Sequence, residues 1–367
     1  MLAYYRKHRP KSFKDIKGQD HIVSVLLSAA SQNRIAHAYL FHGPRGTGKT
    51  SMARLLAKVA CCLTREKDKK FREKGEPCNQ CQACLEIDAG RGIDVVEIDA
   101  ATNTGVDEIR NLKEGIRLSP TSYPKKVIIL DEVHMLSKSA FNALLKTLEE
   151  PPEHAVLILA TTEYQKVPAT IVSRTQRYHF RKLGLKEIVA KLKGIVKEEK
   201  LTAQDDALEF IAALSEGSFR DAESLLEQLA HSSDKLSLDQ AEKILGRVGF
   251  QRVSEFAQHI LQRDIKKTLS YIQELDEHGY NLTDLTKELI HYLRRVLTLK
   301  YNPELKERFA DEVTQQELEK IQAHSKLIEA KEHIPLLKDL IAAYSQMRYS
   351  PFVAVPLEAA LISHLAD

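Results

Sequence analysis

From residue 38 onward, short apolar runs alternate with longer stretches of mixed polarity. The runs are Ala38-Tyr39-Leu40-Phe41, Val95-Val96-Glu97-Ile98, Val127-Ile128-Ile129-Leu130, Ala155-Val156-Leu157-Ile158-Leu159 and Tyr178-His179-Phe180. Runs this short and this nearly continuous predict strands covered on both faces, as in a parallel sheet flanked by helices. The stretches between them carry the helical period. Phe141, Leu144, Leu145 and Leu148 stand at i, i+3, i+4 and i+7, predicting a helix over 137–150 that Pro151-Pro152 stops. After about residue 182 the strand pattern ends. Ile188, Leu192, Ile195 and Val196 share one helical face, and Ala222, Leu225, Leu226 and Leu229 share another, which predicts a bundle of short helices. Beyond Gly249 the periods of Val253, Phe256, Ala257, Ile260 and of Leu285, Leu289, Leu293, Val296 predict longer helices. The expected organisation is an α/β domain over 1–182, a small helical domain over 183–245 and an all-helical domain over 246–367. A chain of 367 residues has room for all three.

Composition changes this picture little. With 43% hydrophobic and 29% charged residues the chain is an ordinary globular protein. A net charge of only +3 means that any nucleic-acid surface must be local. No apolar run is long enough to span a bilayer and the first residues, MLAYYRKHRPK, are not a secretory signal. A cytoplasmic location and no membrane partner are expected.

The first candidate chemistry follows the first strand. Gly43-Pro44-Arg45-Gly46-Thr47-Gly48-Lys49-Thr50 is a complete phosphate-binding loop, and Ser51 continues into a helix running to about Ala60. Glycines let backbone N–H groups close on phosphate, and the helix N-terminus adds partial positive charge. Lys49 is expected to reach the β- and γ-phosphates of ATP, and Thr50 to ligate Mg²⁺. The acidic half of such a site ends another buried strand, Val127-Ile128-Ile129-Leu130-Asp131-Glu132. Asp131 would hold magnesium, and Glu132 would orient and polarise the attacking water. Thr161 and Thr162 end the next strand, where either hydroxyl could meet the γ-phosphate or that water.

All five cysteines lie in one window: Cys61, Cys62, Cys78, Cys81 and Cys84. Such a cluster in a cytoplasmic protein points to metal rather than disulfides. An upstream cysteine followed by Cys78-x2-Cys81-x2-Cys84 fits a closed, structural Zn²⁺ site, with an iron–sulfur cluster as the rival. Spacing does not choose between Cys61 and Cys62. The basic segment from Arg65 to Lys74 reads as a solvated loop.

Together these residues resemble the gamma/tau (DnaX) subunit family of bacterial DNA polymerase III, the motors of sliding-clamp loaders among the AAA+ ATPases. The resemblance is carried by Tyr5-Arg6-Lys7-His8-Arg9-Pro10, His37-Ala38-Tyr39-Leu40-Phe41, GPRGTGKT at 43–50, the cysteine module, and Glu97-Ile98-Asp99-Ala100-Ala101. It continues through LDEVHMLS at 130–137, FNALLKTLEEPPEH at 141–154, LATTE at 159–163, Ser173-Arg174 and Gly217-Ser218-Phe219-Arg220-Asp221-Ala222. It covers about residues 1–230; the helical remainder fits only in length and character. The resemblance implies that Arg174 is an arginine finger reaching a neighbouring subunit's ATP. It makes Arg220 the second sensor and Thr162, with Thr161 beside it, the first. It packs Tyr5, Arg6, Arg9 and Pro10 around the adenine, and makes Cys62 the upstream zinc ligand. Domain 183–245 becomes a lid and 246–367 a collar that holds copies in a ring.

The activity implied is ATP-driven opening and loading of the sliding clamp onto primed DNA, with hydrolysis releasing it. The implied partners are further copies of the chain and the delta and delta-prime subunits, in the bacterial cytoplasm at the nucleoid. DNA contact would be chiefly to phosphates and therefore salt-dependent. The chain departs from the family at Thr175, where cysteine is usual, and ends near residue 367 without the long extension of tau, as a short form or a shortened one would. Three rivals are another AAA+ motor on DNA such as a branch-migration motor, a non-hydrolysing loader scaffold, and a zinc-finger nucleic-acid reader. The cysteine module and the Ser-Arg pair oppose the first, and intact Lys49, Thr50, Asp131 and Glu132 oppose the second. A closed structural zinc is a plainer account than the third.

Overall fold

The computed structural model describes residues 3–102, 112, 114–232, 235–309 and 313–366. These fall into two compact units, Met1–Leu183 with Glu216–Ser224, and Gly184–Ser215 with Leu225–Asp367. In the first unit, β1 (Ala38–His42), β2 (Val95–Asp99), β3 (Lys126–Asp131), β4 (Ala155–Thr161) and β5 (Gln176–His179) form one sheet in the order β2-β3-β4-β1-β5. Every pairing is parallel, in register from Val95↔Val127 through Lys126↔Ala155 and Ala38↔Leu157 to Tyr39↔Gln176. The three central strands are the ones whose sequences are almost wholly apolar. β4 is buried along its whole length. The edge strands are less so, and the last begins earlier than its apolar residues suggest, at Gln176 and Arg177. An edge strand needs only one covered flank, so polar residues are tolerated there.

Side chains alternate between two cores. Tyr39, Phe41, Val127, Ile129 and Ile158 pack with Phe13, Leu26, Met52 and Leu56 on one face. Leu40, Ile128, Leu130 and Leu157 pack with Phe141, Leu144 and Leu148 on the other. The helix expected over 137–150 is Lys138–Glu149; Ser137 caps it by accepting the Ala140 N–H at 3.2 Å. In the second unit, the helix Leu185–Glu198 buries Ile188, Leu192 and Ile195 beside the helix Asp205–Leu214. Further along, Val253, Phe256, Ala257, Ile260, Leu285, Leu289, Leu293 and Val296 all lie in one core. The apolar faces marked at 188–195, 253–260 and 285–296 are therefore inward faces.

Candidate nucleotide site and cysteine cluster

β1 runs into the phosphate loop, and the helix Lys49–Cys61 leaves it. The loop needs glycine at two points where backbone φ is positive and a neighbour stands close. Gly43 has φ +147°, and a Cβ there would lie 2.1 Å from the Phe180 carbonyl oxygen. Gly46 has φ +72°, and its Cβ would lie 1.8 Å from Ser218 Oγ. The Gly46 carbonyl accepts the Phe219 N–H at 3.0 Å, so the segment carrying Arg220 is fastened to the loop. Thr47 is buried and donates to the Pro44 carbonyl at 2.9 Å, whereas Arg45 is exposed and Ser51 half-buried in the helix's first turn. Lys49 is 5% exposed, and its ammonium donates to the carbonyls of Gly43 and Pro44 at 2.9 and 2.7 Å. Burial draws its pKa down, against Glu132 and Asp131, which push it up.

The strand order sets β4 beside β1 and β3 beside β4, so in this parallel sheet their carboxyl ends lie on the loop's side. Thr50 Oγ1 donates to Asp131 Oδ2 at 2.6 Å, bringing the two expected magnesium ligands onto one point. Asp131 also accepts the Glu132 N–H at 2.9 Å. Glu132 takes a left-handed backbone, φ +47°, which turns its side chain toward the end of β4. There its Oε2 accepts the Thr162 N–H at 3.1 Å and the Thr162 hydroxyl at 2.9 Å. Thr161 is fully buried and faces His134 instead, with Oγ1 3.0 Å from Nδ1. The pattern of the chain gave no separate role to His134, which sits in the short helical turn Val133–Met135. A histidine two residues past an acidic pair was the only signal, and it is a weak one.

Two of the remaining candidates meet on one aromatic ring. The Arg220 guanidinium is stacked 5.0 Å above the Tyr5 ring, and Arg6 lies 5.7 Å from the same ring. Half-buried Arg9 has its pKa lowered by burial and by the nearby Arg54 guanidinium, with Glu97 opposing; Pro10 follows, also half-buried. Arg174 is turned to other partners. Its guanidinium donates to the Thr170 carbonyl at 2.9 Å and pairs with Glu149 at 2.8 Å. Thr175 Oγ1 donates back to Ile171 and Val172 carbonyls, both at 3.2 Å.

The cysteines separate cleanly. The Sγ atoms of Cys62, Cys78, Cys81 and Cys84 all lie within 4.8 Å of one another, with Cys78–Cys84 and Cys62–Cys81 each at 3.9 Å. A tetrahedral zinc with Zn–S bonds of about 2.3 Å spaces its sulfurs about 3.8 Å apart, so the donor set fits. Hydrogen bonding from the Cys84 thiol holds Cys62 down to about 4, and the same contact pushes Cys84 up. A thiolate gathered this way suits a cation. Cys61 points elsewhere: its thiol donates to the Lys125 carbonyl at 3.3 Å, and burial pushes its pKa up.

The basic segment is not a solvated loop. It forms the short helices Leu63–Lys67 and Lys69–Arg72. Arg65 is 3% exposed and donates to the carbonyls of Val59, Arg72 and Ala30 at 3.1, 3.0 and 2.8 Å. A buried guanidinium with three carbonyl partners is invisible to charge counting, because the pattern of charges does not say which cation points inward.

A phosphate loop after the first strand and an acidic pair at the end of β3, within the order β2-β3-β4-β1-β5, define the P-loop AAA+ class of ATPase fold. Three family models cover most of the chain. DNA polymerase III, delta subunit, matches residues 18–184, and the clamp loader subunit's ATPase lid domain matches 187–235. Domain III of DNA polymerase III subunits gamma and tau matches 236–365. The DNA polymerase III subunit gamma of Buchnera aphidicola subsp. Schizaphis graminum is 35% identical over 99% of this chain and 97% of its own length. DNA polymerase III subunit tau of Bacillus subtilis is 40% identical over 98% of this chain. This chain belongs to the DNA polymerase III subunit gamma/tau family. It spans 62% of the length of the Bacillus subtilis relative. The Thermotoga maritima RuvB Holliday junction branch migration motor aligns at a TM-score of 0.47 with 20% identity, over 65% of this chain and 72% of that one. No functional weight attaches to a likeness of that size.

Proposed function

We propose that this chain is the ATP-hydrolysing motor subunit of a bacterial clamp loader. ATP binding would set the conformation that opens the sliding clamp and grips primed DNA, and hydrolysis would release the closed clamp. The observation that carries this reading is the convergence of Thr50, Asp131, Glu132 and Thr162 at the carboxyl ends of β3 and β4, beside a buried Lys49. Lys49 would exchange its two loop carbonyls for the β- and γ-phosphates. The Gly43–Thr50 backbone and the start of the helix would cradle the rest of the polyphosphate. Thr50 and Asp131 would hold Mg²⁺, which when bound supplies charge neutralisation across those phosphates. Glu132 would take the proton side of the attacking water, with Thr162 orienting it as first sensor. Arg220 would report on the γ-phosphate, and Tyr5, Arg6, Arg9 and Pro10 would surround the adenine. Arg174 would complete a neighbour's site. Cys62, Cys78, Cys81 and Cys84 would hold one structural Zn²⁺.

Residues 1–182 would then be the ATP-binding domain, 183–245 the lid and 246–367 the collar. The assembly would join several copies to delta and delta-prime subunits in the bacterial cytoplasm, at the nucleoid. Among the described residues, no helix is long and apolar enough to cross a membrane. The test is ATP turnover by the assembled loader with and without clamp and primed DNA, beside Lys49→Ala. Stimulation of the wild type and a loss of at least about a hundredfold in Lys49→Ala are expected. Absence of stimulation with every loader subunit present would sink the clamp-loading claim.

A further inference from the structure

Besides gathering four sulfurs, the cysteine module grips the N-terminal segment at two points. Just before Cys78 the chain turns at Gly75, φ +73°, where an added Cβ would lie 2.7 Å from the Leu27 carbonyl oxygen. That close approach delivers the next residue, Glu76, to the short helical turn Phe13–Asp15. Glu76 Oε2 accepts the Phe13 N–H at 2.8 Å, and Oε1 accepts the Lys14 N–H at 3.3 Å. Both are N–H groups that the start of a helical turn leaves without internal partners. The second grip is Arg65, which donates to the Ala30 carbonyl at 2.8 Å, near the end of the helix Asp20–Ser31. The place of Glu76 is fixed by the residues after it. Pro77 is buried, and Cys78 Sγ accepts the Thr64 hydroxyl and the Cys81 N–H, both at 3.2 Å.

What lies upstream of the turn gives this grip a consequence. Asp15 Oδ2 accepts the N–H groups of Ser12 and Lys11 at 2.8 and 3.1 Å, so the turn is fastened to the chain directly after Tyr5–Pro10. The Tyr5 ring lies under the Arg220 guanidinium at 5.0 Å, and Phe219, next to Arg220, gives its N–H to the Gly46 carbonyl. Contacts therefore run without a break from the cysteine module, through Glu76 and the turn, to a segment that stands beside the phosphate loop. We propose that Glu76 is a positioning residue for the nucleotide: it reaches out of the cysteine module, holds the Phe13–Asp15 turn, and through it sets Tyr5–Pro10 against the adenine. A carboxylate on two backbone N–H groups is a stronger tie than a neutral acceptor. The phosphates depend instead on the loop, where Lys49 is held by Gly43 and Pro44. The inference rests on the reading of Tyr5–Pro10 as the adenine segment.

The test makes two measurements on the full chain: amide hydrogen exchange over residues 3–14 without nucleotide, and equilibrium affinity for ATP and for inorganic tripolyphosphate, each with Mg²⁺. Glu76→Leu removes both acceptors, and Glu76→Gln keeps one. In Glu76→Leu, exchange over 3–14 should rise about tenfold. ATP affinity should fall about tenfold in Glu76→Leu and about threefold in Glu76→Gln, while tripolyphosphate affinity stays within about twofold in both. Both variants should keep about one zinc per chain. An equal loss of ATP and tripolyphosphate affinity is general damage to the domain and overturns the proposal. Loss of zinc together with affinity also overturns it, since Glu76 would then support the module itself. Unchanged exchange in Glu76→Leu shows that Glu76 does not hold the turn, and the proposal fails on its own ground. Raised exchange with unchanged ATP affinity overturns it through the adenine reading of Tyr5–Pro10, so the two failures are told apart. Should Glu76→Leu fail to fold, the ratio of ATP to tripolyphosphate affinity in Glu76→Gln decides, and an unchanged ratio overturns the proposal.

Discussion

At the scale of single residues, the site is held by positions where one atom more would be too many. Gly46 is the sharpest case, because two separate constraints meet there. Its φ of +72° strains any other residue, and its Cα faces Ser218, whose own Cα would lie 3.3 Å from an added Cβ. Gly90 shares the first constraint, with φ +69°, but nothing stands within 4 Å of its would-be Cβ. The pair separates backbone strain from contact. Gly90→Ala should cost about 1–2 kcal/mol of stability and leave ATP affinity unchanged. Gly46→Ala should cost more and weaken ATP binding at least about tenfold, since the loop must move away from 218–219 to make room. Melting curves and equilibrium ATP binding on both variants check this. Equal behaviour of the two would mean that the contact with Ser218 does not shape the loop.

At the scale of elements, what the chain's pattern made legible and what it hid follow one physical rule. Periodicity reports burial of apolar groups, so the central strands and the inward helical faces could be read directly. The phosphate loop and acidic pair could be read because their chemistry demands rare residue combinations at fixed spacing. Buried polar residues left no such trace. Arg65 looked like one more solvent cation, yet its three carbonyl bonds stitch the cysteine module to the helix Asp20–Ser31 through Ala30. The choice between Cys61 and Cys62 also needed three dimensions: consecutive residues at a helix end point in different directions, one to the Lys125 carbonyl and one to the sulfur cluster. That difference can be tested by metal analysis. Cys81→Ser should lose most of about one zinc per chain, and the short helices 63–72 should become easier to cleave by protease. Cys61→Ser should keep its zinc, because a hydroxyl can still donate to Lys125. Full zinc in Cys81→Ser would remove Cys81 from the ligand set, and zinc loss in Cys61→Ser would place the upstream ligand wrongly.

At the scale of the whole molecule, the question is whether one chain can finish its own site. On the proposed reading Lys49, Thr50, Asp131, Glu132 and Thr162 would supply binding, metal coordination, a base and a sensor, but Arg174 is engaged with Thr170 and Glu149. The Arg174–Glu149 pair is partly exposed, with 34% and 49% of the two side chains accessible. A pair that open to solvent contributes under about 1 kcal/mol. It therefore parks the guanidinium without committing it, and a nucleotide's triphosphate on an adjoining copy would outcompete one surface carboxylate. An isolated chain should accordingly be a poor ATPase even with its binding site intact. Assembled loaders that mix Arg174→Ala and wild-type copies should bind ATP normally and lose turnover in proportion to the sites that face a substituted neighbour. Glu149→Gln, which removes the parking partner alone, should leave turnover undiminished. If Arg174→Ala copies hydrolyse ATP normally in every arrangement, Arg174 is a surface arginine and the site at Lys49 is complete within its own chain.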